Sequence, residues 1–439
     1  MFVFYPSLRT CDPVSEYERG GVPYPQEACS FCAMTVYVHI LGEAPVTLWG
    51  LSSRERYRRA LKPVGVTAMV DDLSSLDPGD SVLIVRGDYL VDSRILQSMT
   101  KSSNMMIEAP VGPSRAVIAA YVSADLAMEA RAVLARAEST TTLPSVRVEK
   151  LEDQLSSFDP RLRKSEPPFA KPIGPDTKRM LEERLFASSY KGVTDLVTKW
   201  LWPSPAKWAV RLCVAAGLRP NHVTAVSVLL VIAAAILFAN GFYGWGLAAG
   251  WFMTFLDTVD GKLARVTVTS TRFGHLLDHV LDLVHPPFWY LLWGFGLESF
   301  APGIPWLTLR VAIWVIFIGY IGGRLAEGIF RKWLAGFVIF CWRPFDSYFR
   351  LVTARRNPNM ILLTASLIFG RPDLGLVAVT EWTVLTTLVL LVRLGIAVYA
   401  RNVYGPLQSW LADTTEYRGG HSLAVRLFTN QVSSSGSEA

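Results

Sequence analysis

The chain has 439 residues, 51% of them hydrophobic and only 18% charged, with a formal net charge of +6. A charged fraction below the roughly 25% of a soluble domain, on so apolar a chain, excludes a disordered polypeptide, a collagen-like fibre and a small disulfide scaffold. Fourteen Trp, 22 Phe and 15 Tyr suit a membrane protein with aromatic belts, and the basic excess suits loops facing anionic lipid rather than nucleic acid.

Residues 1–156 read as a soluble α/β domain. The first segment has no basic stretch followed by an apolar run, so it reads as no signal peptide and the domain stays in the cytosol. Cys29 and Cys32 have the spacing of half a zinc site, but no second pair completes it. With Cys11, Cys213 and Cys341 they read as reduced thiols. Strand-like stretches at 46–49, 82–85 and 116–122 alternate with helical ones. Ser52 or Ser53 caps a helix rich in Arg and Glu, and 124–137 reads as another helix. Such alternation predicts a mainly parallel sheet. Residues 157–175 carry Pro160, Pro167, Pro168, Pro172 and Pro175 among charges and read as a linker.

Residues 176–218 read as amphipathic juxtamembrane helices. Lys178, Arg179, Arg184, Lys191, Lys199, Lys207 and Arg211 are mixed with Trp200, Trp202 and Trp208, as in helices lying on a membrane surface. The alternative is a surface helix of the soluble domain. Six spans follow within 219–400, at 223–239, 243–265, 275–297, 306–330, 360–379 and 382–399, the fifth interrupted by Arg371, Pro372 and Asp373. Basic residues cluster between the second and third spans (Lys262, Arg265, Arg272) and after the fourth (Arg324 to Arg356). The opposite loops carry almost none, so both termini and both basic loops face the cytosol. Residues 401–439 read as a tail.

The chemistry is concentrated in DTVDGKLARVTVTSTRFGHLLDHVLD, which begins at Asp257 and ends at Asp282. Carboxylates in apolar helices are expensive and point to function. Asp257, Asp260 or Gly261, and Ala264 share one face of the second span; Gly274, Asp278 and Asp282 recur every four residues on one face of the third. A short loop joins the two helices, so the faces converge near the cytosolic end. Converging carboxylates need a positive partner, and hard divalent cations such as Mg²⁺ or Mn²⁺ take oxygen ligands. A pair of such ions suits phosphoryl displacement. Small residues allow a ligand close approach, and Arg265 can clamp a phosphate. A proton or cation pathway, or an ion-pair network between helices, is the alternative.

The pattern D-x₂-D-G-x₂-A-R-x₈-G-x₃-D-x₃-D resembles the signature of the CDP-alcohol phosphotransferase family. It maps onto Asp257, Asp260, Gly261, Ala264, Arg265, Gly274, Asp278 and Asp282. Pro220-Asn221-His222-Val223-Thr224 resembles the family's entry to its first span, and the likeness covers roughly 176–400. The resemblance implies a six-helix membrane bundle that transfers a phosphoryl-linked alcohol from a CDP-alcohol to a hydroxyl, releasing CMP. The donor is expected to be CDP-diacylglycerol or a similar lipid, in phospholipid synthesis. It implies divalent metal on Asp257, Asp260, Asp278 and Asp282, with Asp282 as general base and Arg265 on phosphate. Asn221, Thr224, Gly261, Ala264 and Gly274 would bind the nucleotide diphosphate, and Arg324, Arg355 and Arg356 (with Arg331) a phosphorylated acceptor. Family members resemble homodimers, and this chain would lie in the cytoplasmic membrane.

The front domain resembles, in degenerate form, the sugar-phosphate nucleotidyltransferases fused to members that make inositol phosphodiesters. Residues 82–85 with Arg86-Gly87-Asp88 are similar to the strand ending in a metal-binding Asp. The phosphate-cradling G-x-G-x-R loop is absent; residues 46–61 stand where it would be. The fusion makes inositol phosphate the expected acceptor. Two other readings stand beside this one: a bifunctional cytidylyltransferase and phosphotransferase, and a non-catalytic membrane scaffold or cation carrier.

Overall fold

The computed structural model describes residues 36–62, 68–102, 104–111, 114–136, 143–153, 157–270, 272–297, 308–414 and 423–429, without the side chains of 272, 273 and 275–279. Cys11, Cys29 and Cys32 lie outside the described residues, as does most of the tail. Cys213 and Cys341 are free thiols.

The strands are β1 Val36–Leu41, β2 Ala68–Met69, β3 Ser81–Arg86, β4 Tyr89–Val91, β5 Met105–Val111, β6 Ser114–Ser123, β7 Arg147–Lys150, β8 Phe158–Asp159, β9 Lys164–Ser165 and β10 Ala170–Pro172. Strand β3, SVLIVR, is apolar between its ends, as a strand covered on both faces must be. It lies inside a six-stranded sheet of order β2-β1-β3-β6-β5-β7. Helices α1 Ser53–Leu61 and α2 Ser93–Met99 cover one face, packing Tyr57, Leu61, Ile95 and Met99 on Leu83 and Val85. Helix α3 Ala127–Leu134 covers the other, with Ala130 and Leu134 on Val82 and Ile84.

Three sequence expectations change here. The sheet is mixed: β1 is parallel to β2 and β3, but β6 runs antiparallel to both β3 and β5. The apolar stretch 46–49 is a loop closed by a single Leu48–Leu51 bridge, because Trp49 at φ +48° turns the backbone left-handed. Residues 157–175 are no open tether. Pro167 and Pro168 favour extended backbone, which runs on into β10 and its antiparallel pairing with β4, and Lys164 and Glu166 form a buried ion pair.

The second half is helical: α4 Lys178–Ser188, α5 Pro203–Ala215, α6 Pro220–Ala239, α7 Tyr243–Val266, α8 Arg272–Leu297, α9 Leu309–Ile329, α10 Pro344–Val352, α11 Arg356–Ile368, α12 Pro372–Tyr404 and α13 Leu423–Phe428. Three helices among the described residues are long and apolar enough to cross a membrane: Pro220–Ala239, Leu309–Ala335 and Pro372–Tyr404. Helix α7 carries charged side chains on its second half, and α11 has 13 residues.

The expected break between the fifth and sixth spans, at 379–382, does not occur. The chain is helical there, and Thr380 and Thr383 return their hydroxyls to carbonyls four residues back at 2.7 Å, which lets polar residues sit in a buried helix. The break falls at Gly370, with φ +66°, followed by Pro372 at the first turn of α12. Glycine past a helix end and proline just inside the next start are the favoured punctuation.

Candidate active site

Helix α7 presents Asp257 and Asp260 three residues apart, on one face. The Thr224 hydroxyl on α6 donates to Asp260 Oδ2 at 2.7 Å, so the first helix closes onto the carboxylate face. Asn221, one turn earlier, is exposed. Asp282 projects from α8, with Gly274 two turns before it on the same helix. Asp278 is on α8 between them; its side chain lies outside the described residues.

Arg356, the first residue of α11, joins the two carboxylate helices. Its Nη2 donates to Asp257 at 2.6 Å and its Nη1 to Asp282 at 2.7 Å. The arginine side chain is 14% exposed, Asp257 22% and Asp282 45%. One planar cation thus occupies the place where two acids converge, as a forked donor does best. Arg356 therefore stands with the acidic face and not with the other arginines.

Those arginines form a separate cluster. Arg355 pairs with Glu327, and Arg324 lies 3.8 Å from the same carboxylate. With Tyr320, Thr383 and Thr387 they line a small recess between α9 and α12. Arg331 is exposed.

Tyr320 ties this cluster to the acidic site through a feature of α8. Pro286 has no N–H, so the carbonyl four residues earlier, that of Asp282, loses its helical donor. The Tyr320 hydroxyl supplies the replacement at 3.2 Å, and Arg324 donates to the same hydroxyl at 3.2 Å.

Arg265 stands two turns after Asp257 on α7. Its Nη1 donates to the Ser189 carbonyl at 3.0 Å, beside Lys262 Nζ at 3.2 Å. A Cβ added at Gly261 would stand 3.7 Å from that guanidinium, so the glycine leaves an open shelf between Arg265 and the acids. Ala264, half-buried, continues it.

Sequence reasoning did not identify Asp195 and Asn357 as partners. Asn357 Nδ2 donates to Asp195 at 3.0 Å, and Thr198 donates to it from both backbone and hydroxyl. Burial opposes the Asp195 charge, but Arg350, Thr198 and Asn357 together hold its carboxyl below the usual range. Nothing in the local spacing links residues 162 apart in the chain. His285, on α8, bonds the Leu281 carbonyl and meets Trp289 edge-on.

Residues 218–341 match the model of the CDP-alcohol phosphatidyltransferase family. The match contains the whole signature and its entry helix, and ends before α10. The chain is 33% identical over 122 residues to the phosphatidylinositol phosphate synthase of Mycobacteroides abscessus, a region covering 26% of this chain and 56% of that protein. It is 33% identical over 134 residues to that of Mycolicibacterium smegmatis, covering 29% and 60%. Over 88 residues it is 36% identical to that of Mycobacterium marinum, covering 19% and 38%. The chain thus spans between about two-fifths and three-fifths of these relatives' length. The family match and the three long apolar helices mark a membrane protein.

Among the described residues, no three His, Cys, Asp or Glu side chains stand in metal-holding geometry. The donor set nonetheless fits a hard divalent cation. Asp257 and Asp282 already share one cation, the Arg356 guanidinium, and oxygen-only ligands suit Mg²⁺ or Mn²⁺.

Proposed function

We propose that this protein transfers a phosphatidyl group from a CDP-linked lipid, such as CDP-diacylglycerol, to the hydroxyl of inositol phosphate, releasing CMP. The observation that carries this reading is the meeting of Asp257 and Asp282, within the family-matched residues, on Arg356 from α11 beyond the match, with Asp260 and Thr224 beside them. The relatives named phosphatidylinositol phosphate synthases support the choice of acceptor. The recess lined by Arg324, Arg355, Tyr320 and threonine hydroxyls supports it too, since it offers cations to a phosphate and hydroxyls to a polyol.

Asp257, Asp260, Asp278 and Asp282 are the residues that would hold divalent metal. The metal, when bound, draws charge from the diphosphate oxygens as it develops. The chain's own groups do the rest. Gly261, Ala264 and Gly274 leave space for the nucleotide beside the backbone, and Asn221 and Thr224 border it from α6. Arg265 and Arg356 are the cations available to phosphate, Arg356 once it leaves the acids. Asp282, the most exposed of the described acids, accepts the acceptor's hydroxyl proton as its oxygen attacks phosphorus and the bond to CMP breaks. The active site faces the cytosol on a six-helix bundle in a cytoplasmic membrane, in a homodimer.

We read the front domain as inactive. The loop after β1, where a phosphate cradle would lie, is filled by Leu48 and Trp49, and Trp49 is fastened to Glu182 by two hydrogen bonds at 3.0 and 2.9 Å. Asp88 is engaged by Arg86 at 2.6 Å.

The test is CMP release by the full chain in detergent with Mn²⁺, CDP-diacylglycerol and inositol phosphate, with Asp278→Asn as control. Metal-dependent release lost in the variant is expected. Equal release by Asp278→Asn, or none with any CDP-alcohol and acceptor, overturns the reading.

A further inference from the structure

The front domain and the carboxylate helices meet at one seam. Helix α7 ends at Val266, and the last carbonyls of any helix lack intrahelical donors. Here the soluble domain supplies them. Arg56 Nη2 donates to the Val266 carbonyl at 3.0 Å and to Leu48 at 2.8 Å. Arg59 Nη1, braced by Glu55 at 2.5 Å, donates to the Thr267 carbonyl at 2.9 Å. Arg56 is 5% exposed. Cations at a helix C-terminus are favoured by the macrodipole as well as by the hydrogen bonds.

Two further observations fall on the same seam. Val268, the next residue, has φ +50°; a β-branched side chain in the left-handed region persists only where its surroundings fix it. Trp49, also left-handed, packs with Phe186, Val210, Val259, Leu263 and Val266 in one apolar cluster. Its ring lies 5.9 Å from that of Phe186. Loop, α4, α5 and α7 thus share a core beside the turn that leads to α8.

We propose that α1 is a positioning element for the transferase site: Arg56 and Arg59 grip the last carbonyls of α7 and hold the turn joining it to α8. That turn sets the separation between the face bearing Asp257 and Asp260 and the face bearing Asp282. Arg56 and Arg59 touch no reacting atom; they act through the backbone of residues 266–268. The inference rests on the proposed transferase activity for its kinetic consequence, but not for the grip itself.

The test uses the full chain in detergent as wild type, Arg59→Ala, Arg59→Lys and, for an exposed residue of the same helix, Arg54→Ala. Arg59 is half-buried, so its variants are expected to fold; hydrogen exchange of the β3 and β6 peptides checks this. Exchange in peptides covering 263–275 should rise ~10-fold in Arg59→Ala, the loss of one charge-assisted hydrogen bond. It should rise less in Arg59→Lys and not at all in Arg54→Ala. CMP release should lose ~5- to 10-fold in kcat, with KM for the CDP-lipid within about twofold of wild type and partial rescue by lysine. Unchanged exchange in Arg59→Ala overturns the grip. Raised exchange with unchanged kcat overturns the positioning role. If wild type releases no CMP, the transferase reading fails, and the exchange result still upholds or overturns the grip.

Discussion

Replacing Arg356 with alanine separates what this arginine does for the fold from what it does for the site. It removes one cation from two acids at 2.6 and 2.7 Å. Breaking a fully buried pair costs about 3–5 kcal/mol, and an exposed one under about 1. With Asp257 22% and Asp282 45% exposed, solvent screens part of the loss, and about 2 kcal/mol is expected. For a domain of this size that is a fall of about 4–8 °C in Tm. The assay is thermal unfolding in detergent followed by Trp fluorescence, first in EDTA and then with Mn²⁺. In EDTA the variant should melt lower. With Mn²⁺ it should recover more than wild type gains, because its carboxylates no longer share a guanidinium and a ligand of the native state stabilises by mass action. A melt within 1 °C of wild type in EDTA would refute the bridge. Equal gains with Mn²⁺ would refute competition between guanidinium and metal.

Three other outcomes are expected. Thr224→Val keeps the shape of α6 but removes the donor to Asp260 at 2.7 Å; CMP release should fall ~10-fold with Tm nearly unchanged, and full activity would dissociate Thr224 from the site. Arg393→Ala strips a two-pronged partner, at 2.6 and 2.7 Å, from Asp346. The Asp346 side chain is 3% exposed, so the loss should be about 3 kcal/mol, with Arg393→Lys recovering only part; a smaller loss in alanine than in lysine would refute the pairing. Lys199 is pushed down to about 8 by burial. Between about 8 and the free-lysine value the unfolded chain binds the extra proton, so stability rises with pH there. Urea unfolding should show wild type gaining on Lys199→Met from pH 7.5 to 9.5, and parallel curves would refute the shift.

The acidic motif was legible because carboxylates in apolar helices at spacings of three and four have few purposes. The contact of Thr224 with Asp260 is not written in that spacing, since the resemblance set Thr224 beside the nucleotide diphosphate. The bridge that Arg356 makes between Asp257 and Asp282 was not legible. The arginine lies 99 residues from Asp257 and 74 from Asp282, and its charge looked like that of Arg355 until α11 was placed. Trp49 misled for a different reason. An apolar run reads as a strand, but here its side chain is buried against helices and its backbone turns to allow it. Hydropathy likewise put a break at the polar residues near 380, whereas backbone torsion at Gly370 makes the real one.

The seam between α1 and α7 also bears on how the protein is made. Arg56 and its acceptor at Val266 are 210 residues apart. Domains generally form as they emerge during synthesis, so the sheet domain can be complete while Trp49 still lacks Phe186, Val259 and Leu263. Until α7 is made and packed against it, the growing chain carries an open apolar face at Trp49. Release of the front half alone would leave that face permanently uncovered, a surface that invites aggregation.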